Sequence, residues 1–439
     1  METKKEEEIK ELYKYWRKRI FLSIWITYAC FYLVRVNMSI ALPGIMHEFG
    51  LSKTAMGGVL SSLFFVYAAG QFINGQFGDK FGARKLISVG LIISALINLV
   101  FSFTNGTLSA MMLLWGLNGY FQSMGWSPTV KTVANWFPLN KRAKFSSLLG
   151  TSYQIGNAAS WALSGFIVGL LGWRYAFIIP GVICLFIGIH WAIRGRNAPE
   201  EVGLPTIEEE ENRKINDKAT NIEINVEVKA DHHIGFKQTL KMCLSNRAIW
   251  TVAFGLFFLN VIRYGFLDWA PTYMFEVQKA TISLAAYKAM ALPLAGSLGA
   301  LFAGWASYKF FRNRKAPVSA VMLFMLGIFV WLYLKIPAGD WILSLICLML
   351  VGFMTYGPHV MMVTSMPMDF GTRKAAASTA GFIDGWGYVG AALTGVASGW
   401  LIDAFSWNAA FYFWILSAFI AGILMLTLWK HQPKKGEHF

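Results

Sequence analysis

Charge is scarce in this sequence. Asp, Glu, Lys and Arg make up 14% of the 439 residues, whereas 56% of the residues are hydrophobic. Soluble domains carry about 25% charged residues, so the composition excludes an ordinary soluble protein. Apolar runs of about eighteen or more residues recur along the chain, and each is long enough to cross a bilayer. We therefore predict an all-α membrane protein that crosses the membrane many times.

Cysteine and acidic residues are also scarce. The four cysteines show no pairing rhythm, which argues against a disulfide framework or a metal site. No nucleophile–base spacing, metal cluster or phosphate-cradling glycine loop is present, so we expect no enzyme activity, no cofactor and no metal. The first nineteen residues are charged throughout, which is unlike a cleavable signal peptide. We expect the first spanning helix to act as its own insertion signal.

The hydrophobic pattern predicts twelve transmembrane helices in two six-helix halves. Their predicted ranges are 20–44, 55–78, 85–104, 107–136, 144–171, 174–194, 248–275, 282–308, 317–335, 341–367, 374–402 and 408–429. The predicted domains are a basic amphipathic segment (1–19), the first half (20–194), a linker (195–246), the second half (247–429) and a tail (430–439). The linker is long and polar, and its composition is typical of a mobile segment.

The net charge of +15 could indicate nucleic acid, but its distribution indicates membrane topology instead. Lysine and arginine concentrate in the termini, the linker and alternate loops, while the opposite loops hold only Lys53, Arg174, Lys279 and Lys335. The positive-inside rule then places both termini and the linker in the cytoplasm. We expect the lipid bilayer, and not nucleic acid, to be the partner, with the basic N-terminal stretch resting on anionic lipid.

The two halves repeat each other. RAKFSSLLGTSYQIG begins at Arg142 and RKAAASTAGFIDGWG begins at Arg373, with glycines at matching positions eight and fourteen residues later. WRYAF (173–177) and WNAAF (407–411) continue the match. Transporters built from such repeats hold their substrate at the interface of the halves, near the bilayer midplane.

Two arginines are predicted to lie at this midplane. Arg35 and Arg263 are each about fifteen residues into their helices, or about 22 Å at 1.5 Å per residue. An arginine at such depth costs at least about 2.5 kcal/mol unless it is neutralised. Two facing guanidiniums repel, and their planar forks fit phosphate or carboxylate, so an anionic substrate is the economical counter-ion. The alternative is permanent pairing with carboxylates such as Asp384.

Other polar residues in the spans are weaker candidates for the same site. Lys131 could bind substrate or extend to the cytoplasmic surface, and Lys288 and Asp384 could be either site residues or structural pairs. His359 could carry a proton or be a satisfied interior histidine. Hydrogen bonds to a substrate could come from residues that more often serve packing, namely Tyr32, Tyr153, Tyr264, Trp126 and Gln71.

GQFGDKFGARK (75–85) resembles the helix 2–3 loop signature of the major facilitator superfamily. The resemblance implies that fold, with twelve helices in two pseudo-symmetric halves. It assigns gating to Gly75, Asp79, Gly82, Arg84 and Lys85. Asp79 can cap a helix N-terminus across the interface while the basic residues bridge the halves. The matching segment of the second half has Tyr308 where an aspartate is expected. The contacts that close the gate there should therefore be weaker.

Four longer stretches resemble the organophosphate:inorganic phosphate antiporters: FYLVRVN (31–37), GYFQSMGWSP (119–128), RYGFLDWAPTYM (263–274) and TRKAAASTAGFIDGWGYVG (372–390). The resemblance implies that Arg35 and Arg263 hold a phosphoryl group. It also implies exchange of a phosphorylated metabolite (a sugar phosphate, glycerol phosphate or phosphoglycerate) for inorganic phosphate by alternating access. A monomer in a bacterial inner membrane is the family expectation.

This chain departs from that family at four places, which puts the organic substrate in doubt. Gln71, Val36 and Tyr153 stand where relatives carry a lysine, a lysine and a histidine, and Lys288 stands where a glutamate is usual. Lys288 could favour a second anionic group, as in phosphoglycerate.

Two rival interpretations remain open at this point. RVNMSIALPGI (35–45) and VYAAGQFINGQFGDKFGAR (66–84) also resemble the anion:cation symporters, which move sugar acids or phosphate with protons or sodium. Such a mechanism would need a titrating group, for which His359 and Asp384 are candidates. A transporter-like sensor of sugar phosphate could have an almost indistinguishable sequence.

Overall fold

A computed structural model of the chain describes residues 2–207, 209–210, 243–367 and 376–430, apart from some side chains near one end of the bundle. The described part is helical, and we number its α-helices in chain order. They are α1 (Glu2–Leu33), α2 (Asn37–Phe49), α3 (Lys53–Phe81), α4 (Ala83–Phe101), α5 (Leu108–Gln122), α6 (Trp126–Trp136), α7 (Leu139–Leu171), α8 (Tyr175–Arg194), α9 (Arg247–Glu276), α10 (Ile282–Ala289), α11 (Ala291–Phe311), α12 (Lys315–Leu334), α13 (Trp341–Val360), α14 (Ala376–Ala404) and α15 (Trp407–Thr427).

These helices form the twelve predicted spans, three of which are divided into two helices. The breaks lie at residues 34–36 between α1 and α2, 123–125 between α5 and α6, and at Met290 between α10 and α11. Within the described residues, nine segments are long and apolar enough to cross a membrane. The other three spans are α3, α5–α6 and α14. Because α3 and α14 pack against each other across the halves, they present less of their surface to lipid.

The two halves meet along α3 with α14 and along α7 with α10. Gly57 and Gly399 allow the first contact, since an added Cβ would collide with the backbone of Gly395 and Lys53 respectively. Small residues at helix crossings let backbones approach closely in membranes. The helix α9 lies at the centre, and every residue from Leu259 to Met274 is buried.

The bundle has two ends, and the described polar contacts between the halves are concentrated toward one of them. We call the end with the two chain termini the termini end. At the opposite end, Asp403 accepts hydrogen bonds from the backbone N–H groups of Lys53 and Thr54 at 3.2 and 2.6 Å. Lys53 Nζ also lies 3.2 Å from Glu276 Oε2. The two halves are therefore closed against each other at the opposite end.

The structure differs from the predicted mobile linker at its beginning. Residues 199–202 form a 3₁₀ turn, and Leu204 and Ile207 pack with Tyr13 of α1. Arg17 of α1 donates from Nη2 to Glu210 Oε2 at 2.8 Å. The apolar residues at 204 and 207 and the ion pair hold this part against α1. Residues 208 and 211–242 lie outside the described residues.

Candidate functional site

Arg35 and Arg263 line one cavity between the two halves. The other lining residues are Tyr32, Val36, Leu60, Leu63, Phe64, Trp115, Asn157, Tyr264, Leu267 and Asp268. They come from α1, the break after it, α3, α5, α7 and α9, so both halves contribute. Each arginine is only 6% exposed.

A helix break built from asparagines positions Arg35. Residues 34–36 interrupt the first span, which the sequence predicts as one continuous helix. At this break the carbonyl oxygen of Val34 accepts hydrogen bonds from Asn98 Nδ2 at 3.0 Å and Asn118 Nδ2 at 2.9 Å. No bulk water reaches such depth to bind irregular backbone, so side chains from α4 and α5 must do so. The break therefore has a fixed geometry, and Arg35 starts from a fixed backbone.

The guanidinium of Arg35 has neutral partners. Its Nε donates to Gln122 Oε1 at 3.0 Å, and Gln122 Nε2 donates in turn to the carbonyl of Phe31 at 3.1 Å. The Cζ atom lies 4.7 Å from the ring centre of Tyr32 and 4.9 Å from that of Tyr67. Ring faces stabilise a cation by about 0.5–2 kcal/mol without using its N–H groups. The Nη2 atom of Arg35 is buried and has no hydrogen-bond partner.

Arg263 has a closely similar environment in the second half. Its Nη1 lies 3.3 Å from His359 Nε2, and its Cζ lies 4.8 Å from the ring of Tyr264 and 5.2 Å from that of Tyr356. Its Nε is buried without a partner. Since an arginine is always charged, a hydrogen bond at this distance requires the lone pair of a neutral imidazole.

The carboxylates near Arg263 do not pair with it directly. Asp268 lines the cavity, and Asp384 lies on α14 within electrostatic reach of Arg263. Among the ion pairs of the described residues, none involves Arg35 or Arg263. The permanent pairing that the sequence left open is thus not formed in this conformation.

The remaining predicted residues lie at different distances from the cavity. The ring of Tyr153 is 6.1 Å from that of Tyr32, and the ring of Trp126 is 6.5 Å from that of Tyr153. Seven predicted residues are not among those that line the cavity, namely Gln71 on α3, Trp126 and Lys131 on α6, Tyr153 on α7, Lys288 on α10, His359 on α13 and Asp384 on α14. Lys288 is buried, and the charged group that acts on it is Asp340 at the start of α13.

The predicted gate lies at the termini end, between α3 and α4. Gly82 occupies this junction with a φ of 84°, a left-handed conformation that favours glycine. Arg84 binds within its own half: its N–H donates to Asn197 Oδ1 at 2.8 Å, and its Nε donates to the carbonyl of Ala192 at 2.7 Å. Lys85 is exposed. The side chains at 75 and 79 lie outside the described residues.

Sequence reasoning missed several residues that shape the cavity. These are Phe64, Tyr67, Asn98, Asn118, Gln122, Asn157 and Tyr356. Gln122 lies inside the quoted motif GYFQSMGWSP, which was the one signal that could have pointed to it. No sequence pattern marked Tyr67 and Tyr356, because an aromatic residue in a transmembrane helix more often packs against its neighbours than binds a ligand.

A family model described as Major Facilitator Superfamily matches residues 24–395. The chain belongs to the Major Facilitator Superfamily. It is a multi-pass integral membrane transporter and not an enzyme. A bacterial homologue of the human lysosomal transporter Spinster, solved in an inward-facing and unoccupied conformation, has the same fold. Its TM-score is 0.73 at 13% identity, covering 94% of this chain and 95% of that one.

Curated relatives within this superfamily match almost the whole chain. The glycerol-3-phosphate transporter of Bacillus subtilis is 32% identical over 99% of this chain and 96% of its own. The probable hexose phosphate transport protein of Chlamydia trachomatis is 31% identical, over 96% and 93%. The membrane sensor protein UhpC of Escherichia coli is 29% identical, over 98% and 95%. The predicted fold, two six-helix halves of the superfamily type, is confirmed.

Proposed function

We propose that this chain exchanges an organic phosphate ester for inorganic phosphate by alternating access. The observation that supports it most directly is the pair of buried arginines from opposite halves, which line one cavity without a carboxylate bound to either of them. A phosphoryl group would supply the negative charge that balances both arginines. Its oxygen atoms would accept hydrogen bonds from their free N–H groups. Relatives named for glycerol-3-phosphate and hexose phosphate transport support this substrate class.

The same arrangement explains why exchange is favoured over leak. When the site is empty, the two cations repel, and closing the halves around them is unfavourable. A bound anion neutralises both arginines and lowers the barrier for the halves to rock about the site. Organic phosphate and inorganic phosphate both carry the phosphoryl group that neutralises the arginines. Either one can therefore be bound when the carrier returns to its first conformation.

We place the chain as a monomer in a bacterial inner membrane with its termini in the cytoplasm, as the charge distribution favours. The opposite end, closed through Asp403 and Lys53, then faces outward. The gate residues Gly75, Asp79, Gly82, Arg84 and Lys85 would close the termini end in the alternate state.

A sensor is the second candidate, because the relative UhpC is named as one at 29% identity. A sensor would bind the ester with the same arginines and report its presence without moving it across the membrane.

The deciding experiment uses purified protein in liposomes loaded with inorganic phosphate. Labelled glycerol 3-phosphate, glucose 6-phosphate and 3-phosphoglycerate are offered outside, with and without proton or sodium gradients. We expect uptake that requires internal phosphate and no ion gradient. Uptake driven by a gradient alone would instead establish an ion-coupled symporter. Binding without any uptake would establish the sensor.

A further inference from the structure

The cavity contains two more polar side chains with unused hydrogen-bonding capacity. Both amide atoms of Asn157, Nδ2 and Oδ1, are buried and have no partner, and the side chain is 0% exposed. Asp268 is 8% exposed, and its Oδ2 is likewise buried without a partner. Leaving such buried groups unpaired is unfavourable, so a ligand that bonds to them gains affinity.

The chemistry of these two groups differs from that of the arginines. An arginine only donates, whereas Asn157 both donates and accepts, and an ionised Asp268 only accepts. A hydroxyl group, which also donates and accepts, can bond to both. A carboxylate could accept from Asn157, but it would be repelled by Asp268 whenever Asp268 is ionised.

Apolar residues line the cavity together with Asn157 and Asp268. Val36, Leu267 and Phe64 line the same cavity and add no hydrogen-bonding group of their own. Lys288, the lysine that the sequence suggested for a second anionic group, does not line it.

We infer that Asn157 and Asp268 form a hydroxyl-binding subsite that selects polyhydroxy phosphate esters over esters that carry a carboxylate. This inference rests on the proposed function, since it divides the same cavity into a phosphate end and a polyol end. Glycerol phosphate and hexose phosphates belong to the favoured class, and 3-phosphoglycerate belongs to the disfavoured class.

The test is competition against labelled inorganic phosphate entering phosphate-loaded liposomes. For the wild type we expect glycerol 3-phosphate or glucose 6-phosphate to compete at least about tenfold better than 3-phosphoglycerate, the effect of one or two hydrogen bonds or a buried repulsion. Asn157→Leu should weaken the polyol esters relative to inorganic phosphate by a similar factor. Asp268→Asn, which keeps the shape, should improve 3-phosphoglycerate relative to the polyol esters. Asn105→Leu, in an exposed loop, is the matched control.

Two outcomes would overturn the subsite. Either 3-phosphoglycerate competes as well as the polyol esters in the wild type, or the order of competitors stays the same in both variants. If phosphate exchange is absent altogether, the proposed function fails instead. The relative affinities of the same three esters are then measured from the thermal stabilisation that each one causes. This measurement tests the subsite separately from transport. Asp268→Asn is nearly isosteric, so it keeps the inference testable if Asn157→Leu does not fold.

A second cleft, at the termini end, combines a basic rim with an aromatic floor. Lys10, Lys14 and Lys18 line it from α1, and Lys141 lines it from the start of α7. A spacing of four places the three α1 lysines on one helix face. All four are exposed, Lys14 lies 3.6 Å from Glu11 on the same exposed helix surface, and the nearby Arg17 is paired with Glu210 at 2.8 Å.

The floor of this cleft is apolar and lies where the first span begins. The rings of Phe137 and Phe145 stack with centroids 3.8 Å apart, and Phe21 lies 5.8 Å from the first and 5.1 Å from the second. The positive charge at the rim matches the headgroup of a lipid at the membrane interface. The apolar floor below it matches the acyl chains.

We propose that this cleft binds an anionic phospholipid, with the lysines on its phosphate and the phenylalanines against its acyl chains. Each basic residue at a membrane surface increases the affinity for anionic lipid by about fivefold.

Thermal unfolding in nanodiscs of phosphatidylglycerol and of phosphatidylcholine tests this proposal. We expect phosphatidylglycerol to stabilise the wild type, and the variant K10Q/K14Q/K18Q to lose that stabilisation. The control K279Q/K309Q/K335Q, which removes three lysines elsewhere, should keep it. Equal loss in both variants would show a general charge effect and overturn the site. Stabilisation by inorganic phosphate alone, at the same lysines, would assign the cleft to a free anion instead.

Discussion

Arg35 and Arg263 lie on opposite halves of the chain, line the same cavity and have matching surroundings. Each guanidinium carbon lies about 5 Å from two tyrosine rings, and each guanidinium has one neutral hydrogen-bond partner. Those partners are Gln122 and His359. This arrangement holds both cations in place without neutralising them, which keeps their charge available to a ligand.

Replacing either arginine by lysine should abolish most transport. A lysine keeps the charge but loses the planar fork that grips two phosphate oxygens. We expect Arg35→Lys and Arg263→Lys to reduce phosphate exchange by about a hundredfold, equivalent to roughly 2.7 kcal/mol of binding. Initial rates in phosphate-loaded liposomes measure this. Near-normal exchange by either variant contradicts the proposed clamp.

Introducing a carboxylate beside Arg35 should create an internal competitor for the substrate. In Gln122→Glu, the new carboxylate would stand 3.0 Å from Arg35 Nε and form the ion pair that the native protein lacks. We expect the affinity for every anionic substrate to fall at least about tenfold. Gln122→Met, which removes the hydrogen bond without adding charge, should cause a smaller loss. A larger loss in Gln122→Met than in Gln122→Glu would mean that Gln122 acts only by orienting Arg35.

The break at residues 34–36 should depend on Asn98. Its Nδ2 donates to the carbonyl of Val34 at 3.0 Å, and its Oδ1 accepts from Asn37 Nδ2 at 3.0 Å. Asn98→Leu removes both bonds and leaves one N–H of the buried Asn37 amide without a partner, although Val34 keeps its bond from Asn118, so it should lower the free energy of unfolding by about 1–3 kcal/mol. Thermal unfolding in detergent measures the change. The exposed Asn105→Leu is the control, and an equal midpoint for the two variants would contradict this role.

The closed opposite end should open when its close helix contact is blocked. An added side chain at Gly399 collides with the backbone of Lys53, so Gly399→Val cannot keep α3 and α14 in contact. We expect the alternate conformation to gain population. Spin labels at Asn105 and Gly339, in loops of the two halves at this end, should then move apart. Gly304→Val is the control, because an added Cβ there meets nothing within 4 Å. An unchanged distance distribution in Gly399→Val rules out this contact as the determinant of closure.

Local pattern was enough to predict the spans and their repeat. Apolar length and the matching glycines predicted two six-helix halves, and the resemblance of residues 75–85 implied the superfamily fold, which the family match confirms. The position of Arg35 in a helix break was not predictable, because no proline or glycine marks residues 34–36. The partners that hold the break, Asn98 and Asn118, come from other helices and carry no local signal.

The sequence by itself determined that the chain spans a membrane, that its halves repeat, and that two arginines lie deep within it. These properties follow from hydrophobic length and from the cost of burying a charge, both of which are local to a segment. Only the tertiary structure decided what surrounds each arginine. The packing of α1, α3, α5, α9 and α13 supplies tyrosine rings, an amide and a histidine there, and no carboxylate of the described residues is bound to either arginine. Packing also brought Asn157 and Asp268 into the cavity and left Lys288 outside it, because contacts between helices depend on which faces meet.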